Sequence, residues 1–326
     1  MSKGRFTIPT DESFVEGTKI IAEKWGADAV RDCDGTKLPA NAGQFGKVYN
    51  TYFIVRGDNE WARKHPEEAQ RIFLLSNRNP ATEEKLEIEI MKGFLGDEFD
   101  PDYSYLDLWQ VYDRTTGEEI KSWKVCQKKG VVEIENCKPF HEYTVTFLAR
   151  VTWHPVQIYN YLTNEWTCEK QLTYDPAFPN TKKYIVEHMK KWCEENPETS
   201  VVRFTTFLYQ FTLIFNNLGK ERQVEWFGYG QTANPVLMAD FEKESGIKLV
   251  AEDFVDSGYY NNCFRTPTEK FRKYMDFVER FVSKTVRELV DIVHSYGKEA
   301  MMFLGDDWIG SEPYGEHFKD MNLDAV

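Results

Sequence analysis

Short apolar runs alternate with longer amphipathic stretches along most of this chain. The runs are rich in β-branched and aromatic residues, as expected for strands that are buried on both faces of a parallel sheet. They are Ala27–Arg31, Arg71–Leu75, Tyr143–Val151, Val201–Leu208 and Ala300–Leu304. Alternation of such strands with helices predicts an α/β fold with a parallel sheet.

The clearest helix is predicted between Thr266 and Tyr296, where apolar residues recur at helical spacing. Thr266 is expected to cap the helix, with Pro267 at the first helical position and Glu269 completing a capping box. Gly297 then provides the left-handed residue that commonly ends a helix. The apolar face of this helix is expected to pack against the sheet.

A different pattern interrupts the alternation near the middle of the chain. Residues 109–120 alternate between apolar and polar positions around a Thr-Gly turn, and residues 130–135 form a further strand pattern. We therefore predict an inserted β-hairpin or small antiparallel sheet at approximately residues 105–140.

The end of the sequence, Met321–Val326, has the pattern of another strand. Five or six predicted strand–helix units precede it, fewer than the eight of a complete barrel. The sequence is therefore expected to be a fragment that stops within a domain.

Composition narrows the function classes. The 326 residues include 40 Lys and Arg against 53 Asp and Glu, a balance of −13 that argues against nonspecific binding to nucleic acid. No secretion signal or run of 18 apolar residues is visible, and the six cysteines are scattered without a C-x-x-C spacing. These features predict a soluble cytoplasmic protein with reduced thiols and no metal site. Aromatic residues make up 15% of the chain, which mostly indicates core packing and also suits stacking against sugars.

In parallel α/β folds the working residues project from the carboxyl ends of the strands. Arg31, beside Asp32 and Asp34, could hold an anion or sugar hydroxyls, although an internal ion pair with one of these acids is the more economical explanation. Asn164 and Trp166 have the polarity and flat surface for a sugar, or belong to a plain turn.

Two further strand ends carry ionisable groups. Arg203 lies within an apolar run, so it must be paired with an acid or face a polar cavity. Asp306 and Asp307 follow a very apolar strand, where low dielectric and a neighbouring acid raise a carboxyl pKa as a general acid requires. The alternative is an Asp-Asp loop that caps the next helix.

Four stretches together resemble a known family. They are residues 26–36 (GADAVRDCDGT), 161–166 (YLTNEW), 201–206 (VVRFTT) and 299–313 (EAMMFLGDDWIGSEP). In this combination they resemble the galactosyl-N-acetylhexosamine phosphorylases (lacto-N-biose phosphorylases) of glycoside hydrolase family 112. The similarity extends from Gly4 to the last residue.

This resemblance implies that residues 1–326 form an N-terminal (β/α)8 barrel catalytic domain, incomplete here because the last strands are missing. It implies a hexosyltransferase-type phosphorylase that cleaves β-1,3-galactosyl-N-acetylhexosamine with inversion, using inorganic phosphate as co-substrate and no cofactor. Asp306 would be the general acid, Arg31 and Arg203 would bind phosphate, and Asn164 would hold galactose hydroxyls. Phosphate is already an anionic nucleophile, so the second carboxylate of an inverting hydrolase is not needed.

Further sugar-binding residues are expected on the same loops: Asp34, Asp307, Glu312, Trp166, Trp226 and Trp308. Three alternatives remain open: a β-1,4-galactosyl-L-rhamnose phosphorylase, a hydrolytic barrel β-galactosidase, and a noncatalytic galactoside-binding barrel. The expected partners are a galactosyl disaccharide and phosphate, without nucleic acid or membrane. The resemblance leaves open a homodimer through parts of a longer chain, and whether this length is active alone.

Overall fold

The computed structural model describes most of the chain in ten segments. They are residues 6–33, 36–94, 99–153, 169–204, 208–209, 212–215, 221–225, 232–261, 267–302 and 316–325.

Strands and helices are numbered here in chain order within these segments. The strands are β1 (Thr7–Pro9), β2 (Ala29–Arg31), β3 (Lys47–Tyr52), β4 (Arg71–Leu75), β5 (Asn79–Pro80), β6 (Lys85–Glu89), β7 (Phe99–Pro101), β8 (Gln110–Asp113), β9 (Glu118–Ile120), β10 (Trp123–Cys126), β11 (Val131–Glu135), β12 (Glu142–Trp153), β13 (Gln171–Leu172), β14 (Val201–Phe204), β15 (Thr212–Phe215), β16 (Glu221–Glu225) and β17 (Glu299–Met302). The helices are α1 (Val15–Trp25), α2 (Asn59–Lys64), α3 (Pro179–Glu195), α4 (Pro235–Ser245), α5 (Ala251–Val255) and α6 (Glu269–Ser295). Short 3₁₀ turns cover Ala42–Phe45, Pro66–Glu68, Tyr103–Leu108, Asp256–Asn261 and Glu316–Met321.

A parallel sheet in the order β1-β2-β3-β14-β17 forms the α/β part of the molecule. Three of its strands match predicted runs: β2, β14 and β17. The prediction missed β1 and β3, because one is very short and the other, KVYNTY, is half polar. Near the end of the chain, Ala325 pairs in parallel with Met301, as expected for a further strand beside β17.

The two faces of the parallel sheet differ in character. Val30 and Val48 lie on one face and pack with Ile21 and Ala22 of α1. Residues of opposite parity lie on the other face, because side chains alternate along a strand. Arg203 is in register with Thr51, and Arg31 is in register with Tyr49, so all four of these residues share the face that α1 does not cover.

The middle of the chain is antiparallel. Strand β12 pairs with β4, β5, β7, β8 and β13, and β8 pairs with β9, so that seven strands of the described segments join one sheet. Strands β6, β10 and β11 form a second, smaller antiparallel sheet. Gly117, at φ +79°, ends the tight turn between β8 and β9 that the Thr-Gly pattern predicted.

One part of the strand prediction was wrong. Arg71–Leu75 and Tyr143–Val151 are strands, but they pair antiparallel with each other, with Thr146 opposite Leu75. A continuous apolar run indicates burial on both faces and carries no information on strand direction. The antiparallel part therefore extends well beyond residues 105–140. It lies between β3 and α3, at the carboxyl end of β3.

Helix α6 starts later than the sequence suggested. Thr268 caps it by accepting a hydrogen bond from Phe271 N at 3.2 Å, so the helix begins at Glu269 and Pro267 precedes it. Thr266 lies outside the described residues. Gly297 adopts φ +68°, which confirms its predicted role at the helix end. The apolar face of α6 is buried from Phe271 to Val293 and contacts β17, α3, α4 and α5.

Two further observations concern the cysteines and the search for membrane-spanning helices. Cys33, Cys126, Cys137 and Cys193 are free thiols, as expected. Within the described segments, no helix combines the length and apolarity that crossing a membrane would require.

Candidate active site

The predicted functional arginines lie at the carboxyl ends of two strands of the parallel sheet. Arg31 is the last residue of β2, and Arg203 is the third of the four residues of β14. Strand β3 runs between them and contributes Thr51, one residue before its end. In α/β barrels this edge is where substrates bind.

Arg203 is 2% exposed and has polar partners at this edge. Its Nε and Nη2 donate hydrogen bonds to Thr51 Oγ1 at 3.0 and 2.6 Å. Its Nη2 also lies 3.7 Å from Asp32 Oδ1, within ion-pair distance. The expectation that a cation in this apolar run must be paired is therefore confirmed, with Asp32 as its acid.

Thr51 connects the two charged groups. Asp32 Oδ1 accepts hydrogen bonds from Thr51 N at 3.0 Å and from Thr51 Oγ1 at 2.9 Å. A hydroxyl has one proton to donate and two lone pairs to accept, so Thr51 can serve both partners at once. Asp32 is fully buried, so removing either charge would break a buried ion pair, which is destabilising.

Arg31 is placed differently from Arg203. It is half-buried, and its Nη1 donates to the backbone carbonyl of Asp32 at 2.9 Å. The suggested ion pair between Arg31 and the Asp32 carboxylate does not form, because that carboxylate is turned towards Thr51 and Arg203. Within the described part of the chain Arg31 forms no ion pair; Asp34, its other suggested partner, lies outside it.

The remaining predicted site residues also lie outside the described segments. They are Asp34, Asn164, Trp166, Trp226, Asp306, Asp307, Trp308 and Glu312. Strand β17 ends at Met302 and pairs with β14 so that Met301 is opposite Arg203. The carboxyl end of β17 therefore lies at the same edge of the sheet as that of β14.

Sequence reasoning missed a third arginine, which follows strand β3. Arg56, four residues beyond β3, is buried, and its guanidinium carbon lies 3.7 Å from the Phe53 ring centroid and 4.9 Å from that of Trp153. Its Nη1 also donates to Gln171 Oε1. Cation–π contacts of this kind fix a guanidinium firmly. The sequence gives only a weak signal, an arginine following the apolar pair Ile54-Val55.

One group of side chains has the spacing of metal ligands. Ligand atoms of His65, Glu67 and Glu68 lie within 4.8 Å of one another. Glu68, however, is buried and already accepts hydrogen bonds from Thr181 N, Thr181 Oγ1 and Asn180 Nδ2 at the start of α3. Glu68 therefore serves to fix the start of α3, and we assign the group no metal.

Comparison with known proteins gives the family. Residues 4–326 match the family model described as lacto-N-biose phosphorylase N-terminal TIM barrel domain. A 1,3-beta-galactosyl-N-acetylhexosamine phosphorylase of Lachnoclostridium phytofermentans is 47% identical over 99% of this chain. One of Bifidobacterium longum subsp. longum is 44% identical over 100% of the chain. A D-galactosyl-beta-1->4-L-rhamnose phosphorylase of L. phytofermentans is 36% identical over the same share.

The chain spans about half the length of these curated relatives, 46% of the first and 44% of the Bifidobacterium protein. The match to a barrel model and the parallel sheet together confirm the predicted α/β barrel class. The match also confirms the resemblance recognised in the four sequence stretches. The chain belongs to the lacto-N-biose phosphorylase family, over the N-terminal TIM barrel domain of that family.

Proposed function

We propose that this chain is the barrel catalytic domain of a phosphorylase for β-1,3-galactosyl-N-acetylhexosamine disaccharides. The observation that supports this most is the buried Asp32–Thr51–Arg203 group, which fixes a guanidinium at the carboxyl edge of the parallel sheet. We assign N-acetylhexosamine as the acceptor sugar because the relatives at 44–47% identity are named for it, whereas the relative named for rhamnose is 36% identical.

In the proposed reaction a phosphate oxygen attacks the anomeric carbon of galactose on the face opposite the glycosidic bond. The bond between that carbon and the glycosidic oxygen breaks, and Asp306 gives its proton to the departing oxygen. The products are α-galactose 1-phosphate and a free N-acetylhexosamine. Phosphate carries its own negative charge, so no general base is required.

The two arginines have different parts in this proposal. Arg203 is paired with Asp32, so the pair is close to neutral, and Arg203 contributes N–H groups in a fixed orientation rather than net charge. Arg31 forms no ion pair among the described residues, so its charge can act on the phosphate. Planar guanidinium groups suit phosphate because they can bond two oxygens at once.

Galactose and the acceptor sugar are assigned to the loops around this edge. Asn164 would hold galactose hydroxyls, and the further sugar-binding residues would be Asp34, Asp307, Glu312, Trp166, Trp226 and Trp308. Aromatic rings suit the apolar face of a sugar, while carboxylates and amides bond its hydroxyls.

The decisive residue is Asp306. Asp306→Asn should lower phosphorolysis by roughly 10²–10⁴-fold, the usual contribution of a general acid. The assay follows galactose 1-phosphate from lacto-N-biose in this chain and, in parallel, in a polypeptide of the relatives' full length that begins with it. Asp291→Asn, at an exposed position of α6, is the matched control and should leave phosphorolysis unchanged. Near-normal activity of Asp306→Asn would remove it as the acid.

The same assay separates the alternatives. Release of galactose at an equal rate without phosphate would indicate a hydrolase, and turnover of galactosyl-rhamnose in preference to lacto-N-biose would indicate the other acceptor. Galactoside binding that is unaffected by Asp306→Asn, with no sugar phosphate formed, would indicate a noncatalytic barrel. A cytoplasmic location and a homodimer stay predictions, which cell fractionation and light scattering would test.

A further inference from the structure

The chain that follows the Arg203 strand is held at both of its described ends by the antiparallel part of the molecule. Soon after β14, Leu208 is buried, and its carbonyl accepts a hydrogen bond from Gln70 Nε2 at 2.8 Å. Before α4, Ala233 N donates to the carbonyl of Arg71 at 3.0 Å, and Thr232 forms a bridge with Ile72. Gln70 and the first residues of β4 therefore contact both ends.

Asp175, in the loop before α3, contacts the first of these ends. Its Oδ1 accepts hydrogen bonds from the Tyr209 hydroxyl and from Ala177 N, each at 3.0 Å. Asn234, the cap of α4, lowers the pKa of the same carboxyl, but its Nδ2 forms no hydrogen bond among the described residues. Asp175 is 0% exposed, and its backbone N–H donates to the Glu68 carbonyl at 2.7 Å.

The two oxygens of this carboxyl differ. Oδ1 accepts two hydrogen bonds, whereas Oδ2 is buried and has no hydrogen-bond partner among the described residues. A buried charged oxygen in that position is costly. A proton on Oδ2 removes the charge and leaves both hydrogen bonds to Oδ1 in place.

We propose that Asp175 is a positioning residue which holds the first end of the segment following Arg203 through Tyr209, and that it does so most tightly as a neutral carboxylic acid. It is not a catalytic residue in this proposal, since it lies within the protein interior and acts through Tyr209.

The surroundings of Asp175 agree with this assignment. Burial raises its pKa to about 6, against the opposing effects of Ala177, Asn234, Tyr209 and the charge of Arg71. Arg71, on β4, gives its own hydrogen bonds to Asp102 and to two backbone carbonyls.

The other ionisable groups that face Asp175 come from the loop after β14, from α6 and from the turn before β4. Tyr209 and Tyr274 stay neutral, because burial and the Asp175 charge raise the pKa of each hydroxyl. Glu68 meets Asp175 through its backbone carbonyl, while its carboxylate bonds Thr181. Asp175 is therefore the group of this cluster that changes charge near neutral pH.

The sign of the pH effect follows from this placement. We call the hydrogen bonds that Asp175 accepts from Tyr209 and Ala177 the anchor. If the anchor opens and exposes Asp175, its pKa returns from about 6 towards the ordinary value of 3.8. Opening then becomes more favourable as pH rises, by about tenfold between roughly pH 5 and pH 8. The anchor is thus tighter in mild acid and looser in mild alkali.

Hydrogen exchange tests this directly and needs no substrate. Exchange is corrected for the intrinsic effect of pH and compared at pH 5 and pH 8 in peptides that contain Leu208–Tyr209. In the wild type we expect about tenfold weaker protection of these peptides at pH 8, with β12 unchanged. Asp175→Asn mimics the neutral acid and should keep its protection at both pH values.

Two buried tyrosines provide a matched pair of variants. Tyr209→Phe removes the hydroxyl that donates to Asp175 and should weaken protection of the peptides that contain Leu208–Tyr209. Tyr143→Phe removes an equally buried hydroxyl that accepts from Lys138 N within the antiparallel part, and it should leave those peptides unchanged. Equal effects of the two variants, or a pH effect that persists in Asp175→Asn, would overturn the proposal.

The consequence for catalysis rests on the proposed function, whereas the anchoring does not. If phosphorolysis holds, the Michaelis constant for phosphate should rise between pH 5 and pH 8 more in the wild type than in Asp175→Asn. Hydrogen exchange that depends on pH, without any phosphorolysis, would refute the proposed function but support the anchoring by Asp175. Phosphorolysis together with hydrogen exchange that does not depend on pH would refute the anchoring but support the proposed function.

Discussion

Two buried arginine–aspartate pairs, one in each part of the molecule, are built in different ways. In the antiparallel part, Arg71 bonds Asp102 directly at 2.7 Å and gives its other nitrogens to the carbonyls of Ala69 and Glu67. At the edge of the parallel sheet, Arg203 and Asp32 are 3.7 Å apart and meet through the hydroxyl of Thr51. The guanidinium of Arg71 donates to Asp102 and to the surrounding backbone, so its role is structural. The guanidinium of Arg203 is oriented by a hydroxyl at a strand end, so it is suited to bind a ligand.

The sharpest way to break this comparison is to remove each arginine. Arg71→Met should lower the free energy of unfolding by about 3–5 kcal/mol, because among the described residues it leaves the buried Asp102 with the partly exposed Arg150 as its cation. Arg203→Met should lose stability too, and in addition should lower kcat/KM for phosphate by at least roughly 10²-fold, the effect of losing a charge-assisted contact in a buried site.

Urea unfolding and phosphate kinetics, both measured at a temperature where the variants are folded, separate the two effects. Arg71→Met is expected to keep the Michaelis constant for phosphate. If both variants changed phosphate kinetics equally, the distinction between a structural pair and a ligand-binding pair would be lost.

The pKa values of two buried aspartates, Asp102 and Asp175, are shifted in opposite directions, which gives a second test that depends on pH. Hydrogen bonds and the charge of Arg71 lower the pKa of Asp102 despite its burial, whereas burial raises the pKa of Asp175 to about 6. Asp175 binds its proton more tightly when folded, so its contribution to the free energy of unfolding falls as pH rises from 3.8 to about 6. The total is about 3 kcal/mol, and the contribution is constant above that range.

Asp102 works in the opposite direction, since its stabilisation is present above its ordinary pKa and is lost in acid. The difference between the wild type and Asp175→Asn, measured by urea unfolding from pH 4.5 to 8, cancels Asp102 and isolates Asp175. We expect the wild type to lose stability relative to the variant as pH rises. A difference that does not vary with pH would contradict the raised pKa.

The smallest expected effect concerns Thr51. Thr51→Val removes the hydroxyl between Arg203 and Asp32 without changing the shape of the side chain. It should lower the free energy of unfolding by about 1–3 kcal/mol, since Arg203 and Asp32 each lose a buried hydrogen bond. Thr51→Ser keeps the hydroxyl and should restore most of the stability and the phosphate kinetics. A serine variant no better than valine would show that the hydroxyl does not orient Arg203.

The sequence predicted the presence of buried strands better than their arrangement. The apolar runs at β4 and β12 were recognised, but an apolar run looks the same in parallel and antiparallel sheets. The half-polar strand β3 escaped notice, and with it Thr51. The predicted helix α6 was right in extent and two residues early at its start, because both Thr266 and Thr268 are followed by sequences compatible with a cap.

The site was predictable only in part for the same physical reason. Arg203 stood out because a cation in an apolar run requires a partner, yet Thr51 is 152 residues away from it and Asp32 is 19 residues from Thr51. Contacts over such separations are created by the sheet order. Asp175 carried no sequence signal at all, since its properties come from burial among Tyr209, Asn234 and Tyr274. Asp306 remains a prediction drawn from the family resemblance.

The central claim is cleavage of a galactosyl disaccharide by phosphate. The most direct measurement is a ³¹P NMR time course of lacto-N-biose with inorganic phosphate, using this chain and a polypeptide of the relatives' full length that begins with it. The account predicts that α-galactose 1-phosphate forms in equal amount to N-acetylglucosamine, and that nothing is cleaved when phosphate is left out. Free galactose released at the same rate without phosphate, or a folded full-length polypeptide that forms no sugar phosphate, would contradict it.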